Sequence, residues 1–216
     1  IYISGARHAV FQVAWGQTNE PAAVAGTPDV PGSGTSLKDP RGVAVDGSGR
    51  VYVADRGNHR LVVFGPQGKL VAQIPVEWPD QVVLKPRSDV LYVTAGFGQM
   101  RLLKFAGLQV LKPAAEMPLQ VSQPLMAIDA QAEDPALIIA NVQQPGGDAA
   151  VIRVEDRGSE FRRLGEVAKC SPPFAPFLMG ADRANEWIYA YPHMGVSGGY
   201  ARIDGRTGRR ESVNIP

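Results

Sequence analysis

The chain has 216 residues, with 22 Lys and Arg against 21 Asp and Glu, and a formal net charge of +1. The length allows one domain or one repeat array with a large core, and the charge balance predicts no binding to nucleic acid. No apolar run reaches the roughly 18 residues of a membrane span, and the single cysteine excludes an internal disulfide.

The first predicted unit, residues 1–38, contains two strands, over residues 1–3 and 10–13, and then a long loop rich in Gly and Pro. No clear first strand precedes Ile1 in this unit. We therefore expect a partial unit, and expect the chain to begin inside a longer repeat array.

The clearest unit covers residues 39–75 and contains four apolar segments separated by turns. Strands are predicted over residues 42–45, 51–54, 61–64 and 69–74. Strands that alternate with tight turns in this way are typical of an antiparallel meander.

The same order recurs in residues 76–118, 119–170 and 171–216, with less regular turns. Each complete unit opens with a proline: Pro40, Pro79, Pro124 and Pro176. Units of about 40 to 50 residues with four strands each predict β-propeller blades, and a β-sandwich would not repeat this order. We predict an all-β propeller domain of four complete blades and one partial blade, within a larger ring.

Three segments of the second unit, PRGVAVD, VYVAD and GNHR (residues 40–46, 51–55 and 57–60), closely resemble the NHL repeat. The resemblance is strong over residues 39–74 and weaker, but in register, over the other units. It implies an NHL-type propeller, commonly of about six blades, and a closed five-bladed ring is the alternative. It implies no single function, because the family contains both binding modules and enzymes.

Three histidines each fall between the second and third strands of a predicted blade, where propeller loops share one face. Imidazoles there could contact a ligand or a zinc ion, although the histidine of GNHR ordinarily serves turn packing. We predict a loop-face binding site formed by His8, Asn58, His59, Arg60 and His193.

Residues 1–11 resemble a zinc-ligand segment of the peptidyl-hydroxyglycine amidating lyases. That resemblance implies further zinc histidines directly after the prolines that open the blades. The matching positions hold other residues: Arg41, Asp80, Leu125 and Phe177. Only His8 would carry over, so we predict no metal site, no cofactor and no catalytic residue.

Calcium-dependent lactonase and esterase propellers bind a metal on the channel axis through Glu, Asn and Asp. Candidate ligands of this kind are Asp46, Asp55, Asn141 and Asp182. Each of them ends a predicted strand, where Asp and Asn commonly form turns. Trp78 lies next to a strand start and is expected to pack between blades.

The sequence thus predicts a non-catalytic scaffold that binds a protein partner or forms a subunit of a larger assembly. The expected contact loops span residues 16–38, 112–123, 141–148 and 170–175. The alternative is a metal-dependent hydrolase or lyase on the same scaffold, and a small-molecule ligand is compatible with both. The sequence identifies no compartment; we favour an extracellular or periplasmic location.

Overall fold

The protein is described by a computed structural model, in which the regular secondary structure of the described residues is almost entirely β-strand. The described residues are 2–5, 7–13, 20–32, 34–85, 87–119, 123–128, 137–142, 149–170, 177–182, 187–191, 200–204, 207 and 209–213. A short 3-10 turn covers Arg56–Asn58. Among these residues, no helix is long and apolar enough to cross a membrane.

The strands form sheets whose members follow one another in the chain. The first sheet has three strands: β1 (Tyr2–Ser4), β2 (Ala9–Gln12) and β3 (Ala22–Gly26). The second has four: β4 (Pro40–Val45), β5 (Val51–Asp55), β6 (Arg60–Phe64) and β7 (Leu70–Pro75). The third also has four: β8 (Pro79–Leu84), β9 (Leu91–Ala95), β10 (Met100–Phe105) and β11 (Ala115–Leu119).

Two more four-stranded sheets follow. One contains β12 (Gln123–Ile128), β13 (Leu137–Val142), β14 (Ala149–Asp156) and β15 (Phe161–Cys170). The other contains β16 (Phe177–Asp182), β17 (Trp187–Tyr191), β18 (Tyr200–Asp204) and β19 (Arg210–Val213). Consecutive sheets of four antiparallel strands confirm the predicted all-β propeller fold, whereas the number of blades stays a prediction.

Two strands lie where the sequence predicted loops. The strand β3 falls inside the predicted loop 16–38, and β11 falls inside the predicted loop 112–123. Both predictions were wrong because Ala and Pro have weak strand propensity, whereas pairing and burial decide the structure. Ala25 pairs with Val10 and is buried, and β11 is an edge strand that tolerates Pro118.

The chain divides into two compact units, Ile1–Gly96 with Leu102–Ala114 and Phe97–Arg101 with Ala115–Pro216. In the first unit, every residue of β5 is buried. Because successive side chains of a strand point to opposite sides of a sheet, both faces of β5 are part of the core. Val51 and Val53 pack in a cluster with Val10 and Leu37. The intervening Tyr52 and Ala54 join a second cluster with β8 and β9 residues. In the second unit, Ile152 and Val154 of β14 are buried.

In the first unit, a glycine allows the first strands of two neighbouring sheets to approach closely. A Cβ atom on Gly42 in β4 would lie 2.6 Å from the Cα of Gln81 in β8. Only glycine fits such a contact without moving the backbone. The close approach places the start of β4, at Arg41, near the start of β8, at Asp80.

Candidate functional site

The turn between β5 and β6 is organised around Asp55, whose side chain is fully buried. One carboxylate oxygen accepts hydrogen bonds from Arg60 Nε at 2.7 Å and Asn58 Nδ2 at 2.8 Å. The other accepts one from the backbone N–H of Lys38 at 2.7 Å. The buried charge is therefore paired and hydrogen-bonded, as burial requires.

Asn58 and Arg60, both predicted to bind a ligand, also reach from this turn to other segments of the chain. Arg60 donates to Gln73 Oε1 at 2.6 Å and to the Ser36 carbonyl at 2.8 Å. Asn58 donates to the Gly32 carbonyl at 2.5 Å. Their donors thus connect the loop before β4 to the second sheet, which is a structural role. Their predicted role in binding stays a prediction.

Asp46, a candidate calcium ligand, instead closes the turn between β4 and β5. Its carboxylate accepts hydrogen bonds from the Ser48 and Arg50 backbones at 2.9 and 3.0 Å, and from the Tyr52 hydroxyl at 3.0 Å. Burial raises the pKa of Asp46, but the hydrogen bonds from Ser48, Arg50 and Tyr52 outweigh it and hold the pKa below its ordinary range. Arg50 also donates to Asp89 at 2.7 Å, which connects the second and third sheets.

The remaining candidates lie in the second unit. Asn141 is in β13 and Asp182 is in β16, whereas His193 lies outside the described residues. Among the residues that the structure describes, no group of three or more His, Cys, Asp or Glu side chains could hold a metal ion.

His8 and His59 occupy equivalent turns, and both have left-handed backbones, with φ of 56° and 53°. Beside His8, Arg7 Nη2 lies 2.7 Å from Asp29 Oδ2 in an exposed ion pair. His59 has a different environment: Nδ1 lies 3.0 Å from Glu77 Oε2. A carboxylate thus lies close to His59, whereas next to His8 the carboxylate of Asp29 is paired with Arg7.

The aromatic ring of Trp78 packs between two basic side chains. The His59 and Trp78 ring centroids are 4.4 Å apart at an interplanar angle of 77°. The guanidinium carbon of Arg56 lies 5.5 Å from the centroid of the Trp78 ring, a cation–π distance. Trp78 nevertheless remains 38% exposed. We call Arg56, His59, Glu77 and Trp78 the Trp78 corner.

Arg56 extends from the Trp78 corner to Asp80, the second residue of β8. Its Nη1 lies 3.5 Å from Asp80 Oδ1, and the Asp80 side chain is 26% exposed. Burial raises the pKa of Asp80, and the nearby charges of Arg56 and Arg41 offset only part of this rise. Ionisable groups with shifted pKa values, partly shielded from water, are common in functional sites.

Arg41 occupies the equivalent position at the start of β4. Its Nε lies 3.0 Å from Asp39 Oδ1, and its backbone carbonyl accepts a hydrogen bond from the Ser4 hydroxyl. The starts of the two first strands therefore present Arg41 and Asp80, two of the four positions at which the amidating-lyase resemblance implied histidine.

Sequence reasoning did not identify Arg56, Trp78 and Asp80 as a group. The separate signals were a tryptophan before the proline that opens β8, and an acid directly after that proline. Trp78 was expected to pack between blades, and it does pack on neighbouring side chains while keeping an exposed part.

Residues 37–64 match the NHL repeat. Among solved structures, the chain is similar to a gluconolactonase from Xanthomonas campestris, with 14% identity, a TM-score of 0.63, and coverage of 94% of this chain and 67% of that one. A putative 6-phosphogluconolactonase from Bacteroides uniformis shows 12% identity, a TM-score of 0.58, and coverage of 94% and 62%. For a streptogramin B lyase the values are 14%, 0.59, and 97% and 63%.

Residues 37–64 thus form an NHL repeat, and the fold of the chain is that of a β-propeller. At these identities the similarity to solved structures shows the fold alone. The chain spans about two thirds of the length of these similar structures. Among curated proteins, none matches the chain significantly in sequence.

Proposed function

We propose that this propeller is a non-catalytic scaffold and that its protein partner contacts the Trp78 corner. The observation that carries the proposal is an exposed tryptophan fixed by two neighbours, His59 and Arg56. Tryptophan and arginine are the residue types that most often dominate the binding energy of protein interfaces. Glu77 beside them is 73% exposed and adds a negative charge suited to a basic residue of the partner.

The Trp78 corner is held in its conformation before any partner binds. Trp78 and His59 both have left-handed backbones, with φ of 51° and 53°. Bulky residues adopt this strained conformation where the surrounding structure imposes it, often at functional positions. Because the ring is already fixed, little side-chain entropy would be lost on binding.

The test is recovery of a partner with matched variants. Tagged wild-type protein in extracts of its source organism should retain one protein at constant stoichiometry. Trp78→Ser should lose that protein, whereas the control Val71→Ser, which alters an exposed residue of β7 (49% exposed), should retain it. Retention by Trp78→Ser equal to wild type would contradict the proposal, as would the lack of any stoichiometric partner.

A second candidate is a metal-dependent hydrolase or lyase on the same scaffold. It is supported by Asp80, because a carboxylic acid with a raised pKa can serve as a general acid or base. The named activities of the similar structures, lactonase and lyase, are consistent with this candidate. The purified protein, with calcium or zinc supplied, should hydrolyse gluconolactone, and Asp80→Asn should not. An inactive wild-type protein would contradict this candidate.

A further inference from the structure

Asp80 differs from the other shielded aspartates of the first unit in what its carboxylate accepts. Asp55 accepts three hydrogen bonds, and Asp46 accepts several from the turn that it closes. Within the part of the chain that the structure describes, Asp80 accepts none, and its closest cation is Arg56 at 3.5 Å. Its side chain is 26% exposed, so the carboxylate can exchange bound water for a ligand group.

Arg56 likewise differs from three other arginines of the first unit in the distance to its carboxylate partner. Arg60, Arg50 and Arg7 each have a carboxylate partner at 2.7 Å or closer. Arg56, whose side chain is only 15% exposed, lies 3.5 Å from its carboxylate. It donates to the backbone carbonyls of Trp78 and Gly96 at 3.3 and 3.4 Å. All three distances exceed the usual 2.7–2.9 Å of a charge-assisted hydrogen bond.

We propose that Arg56 and Asp80 bind a small carboxylic acid that carries a hydrogen-bond donor on the carbon next to its carboxyl group. The pair places an N–H donor beside a carboxylate acceptor, 3.5 Å apart. A complementary ligand places a carboxylate acceptor beside a hydroxyl or ammonium donor. The ligand class is therefore an α-hydroxy or an α-amino acid.

The surroundings favour this class of ligand. The partial shielding of both side chains strengthens charge-assisted hydrogen bonds, because little water competes for them. Arg41 also favours the ionised form of Asp80, and its ion-pair partner Asp39 opposes that influence. This site depends on the polar pair, and not on a protein partner at the exposed part of Trp78.

The test uses three probes with the same three-carbon skeleton: L-lactate with a hydroxyl, L-alanine with an ammonium, and propionate with neither. Each is titrated into the wild-type protein while the tryptophan indole N–H signals are followed by NMR. The chain has three tryptophans, and the signal missing from Trp78→Phe identifies Trp78. Saturable shifts of that signal by lactate or alanine, with propionate at least about tenfold weaker, would support the proposal.

Matched variants locate the site. Arg56→Gln and Asp80→Asn should each weaken the probe by about tenfold or more, because each leaves one ligand group unpaired. The control Arg7→Gln, which alters an exposed ion pair, should bind as wild type. The proposal is overturned if propionate binds as tightly as lactate and alanine, if no probe shifts the Trp78 signal of the wild-type protein, or if both variants bind normally. These outcomes are independent of partner recovery by Trp78→Ser, so the two proposals can fail separately.

Discussion

The second and third sheets have the same strand order but stabilise the same turn by different means. When Tyr52 is aligned with Tyr92, Asp55 corresponds to Ala95 and Arg60 to Met100. The second sheet holds its turn with a buried ion pair, whereas Ala95 and Met100 are buried apolar residues. This pair of positions in the repeat can thus be occupied by an ion pair or by two apolar residues, provided that no buried charge is left unpaired.

The acidic residues of the two sheets differ in position as well. In the second sheet they close turns, at Asp46 and Asp55. In the third sheet Ala95 corresponds to Asp55, and Lys85 corresponds to Asp46 when the opening prolines Pro40 and Pro79 are aligned. An acid lies instead at the start of the first strand, at Asp80. The comparison therefore separates structural carboxylates, saturated with hydrogen bonds, from one that is available to a ligand.

The largest effect is expected from Asp55→Ala. It leaves the Arg60 guanidinium buried without its carboxylate, which costs about 3–5 kcal/mol of unfolding free energy. The double variant Asp55→Ala with Arg60→Met copies the third sheet and should recover much of this loss. Urea denaturation of both variants measures their unfolding free energies. A double variant less stable than Asp55→Ala would show that an apolar pair cannot replace the ion pair at these positions.

A smaller effect is expected from Gly57→Ala. The added Cβ would lie 2.7 Å from the Lys38 carbonyl oxygen, a clash that costs about 1–3 kcal/mol. The aligned residue of the third sheet, Phe97, is 77% exposed, so Phe97→Ala should change stability by less than about 0.5 kcal/mol. Equal losses in the two variants, measured by thermal unfolding, would show that the turns do not differ in this way.

Asp46→Asn should cost about 1–3 kcal/mol, because the acceptor that Arg50 and Tyr52 share is weakened. The folded-state pKa of Asp46 is lowered, so its stabilisation is complete above the unfolded pKa of about 4. The advantage of the wild type should therefore shrink as the pH falls below that value. Denaturation at a series of acidic pH values measures this, and a constant difference would contradict it.

Much of the fold could be predicted from residues 39–75 alone, because that unit combines alternating apolar residues with the turn residues of the repeat. The strands β3 and β11 could not, because Ala25 and Ala115 are buried by pairing that only the folded chain provides. A run of alanines carries little strand propensity by itself.

The candidate site was less predictable than the fold. The sequence marked His59 correctly as a turn residue, but it gave no reason to group Arg56 with Asp80, 24 positions later in the chain. That contact joins two neighbouring sheets, whose first strands approach closely at Gly42, and it lies two residues after the left-handed backbone of Trp78. Short-range patterns do not encode either of these features.

We expect Asp80 to serve ligand binding and to contribute nothing to the stability of the fold. Its pKa is raised by burial, so its ionised form disfavours folding once the pH rises above the ordinary value of about 4. The most direct measurement is the unfolding free energy of Asp80→Asn at neutral pH. We expect it to equal or exceed that of the wild type, with the gain disappearing in acid. A loss comparable to that of Asp55→Ala would contradict the account.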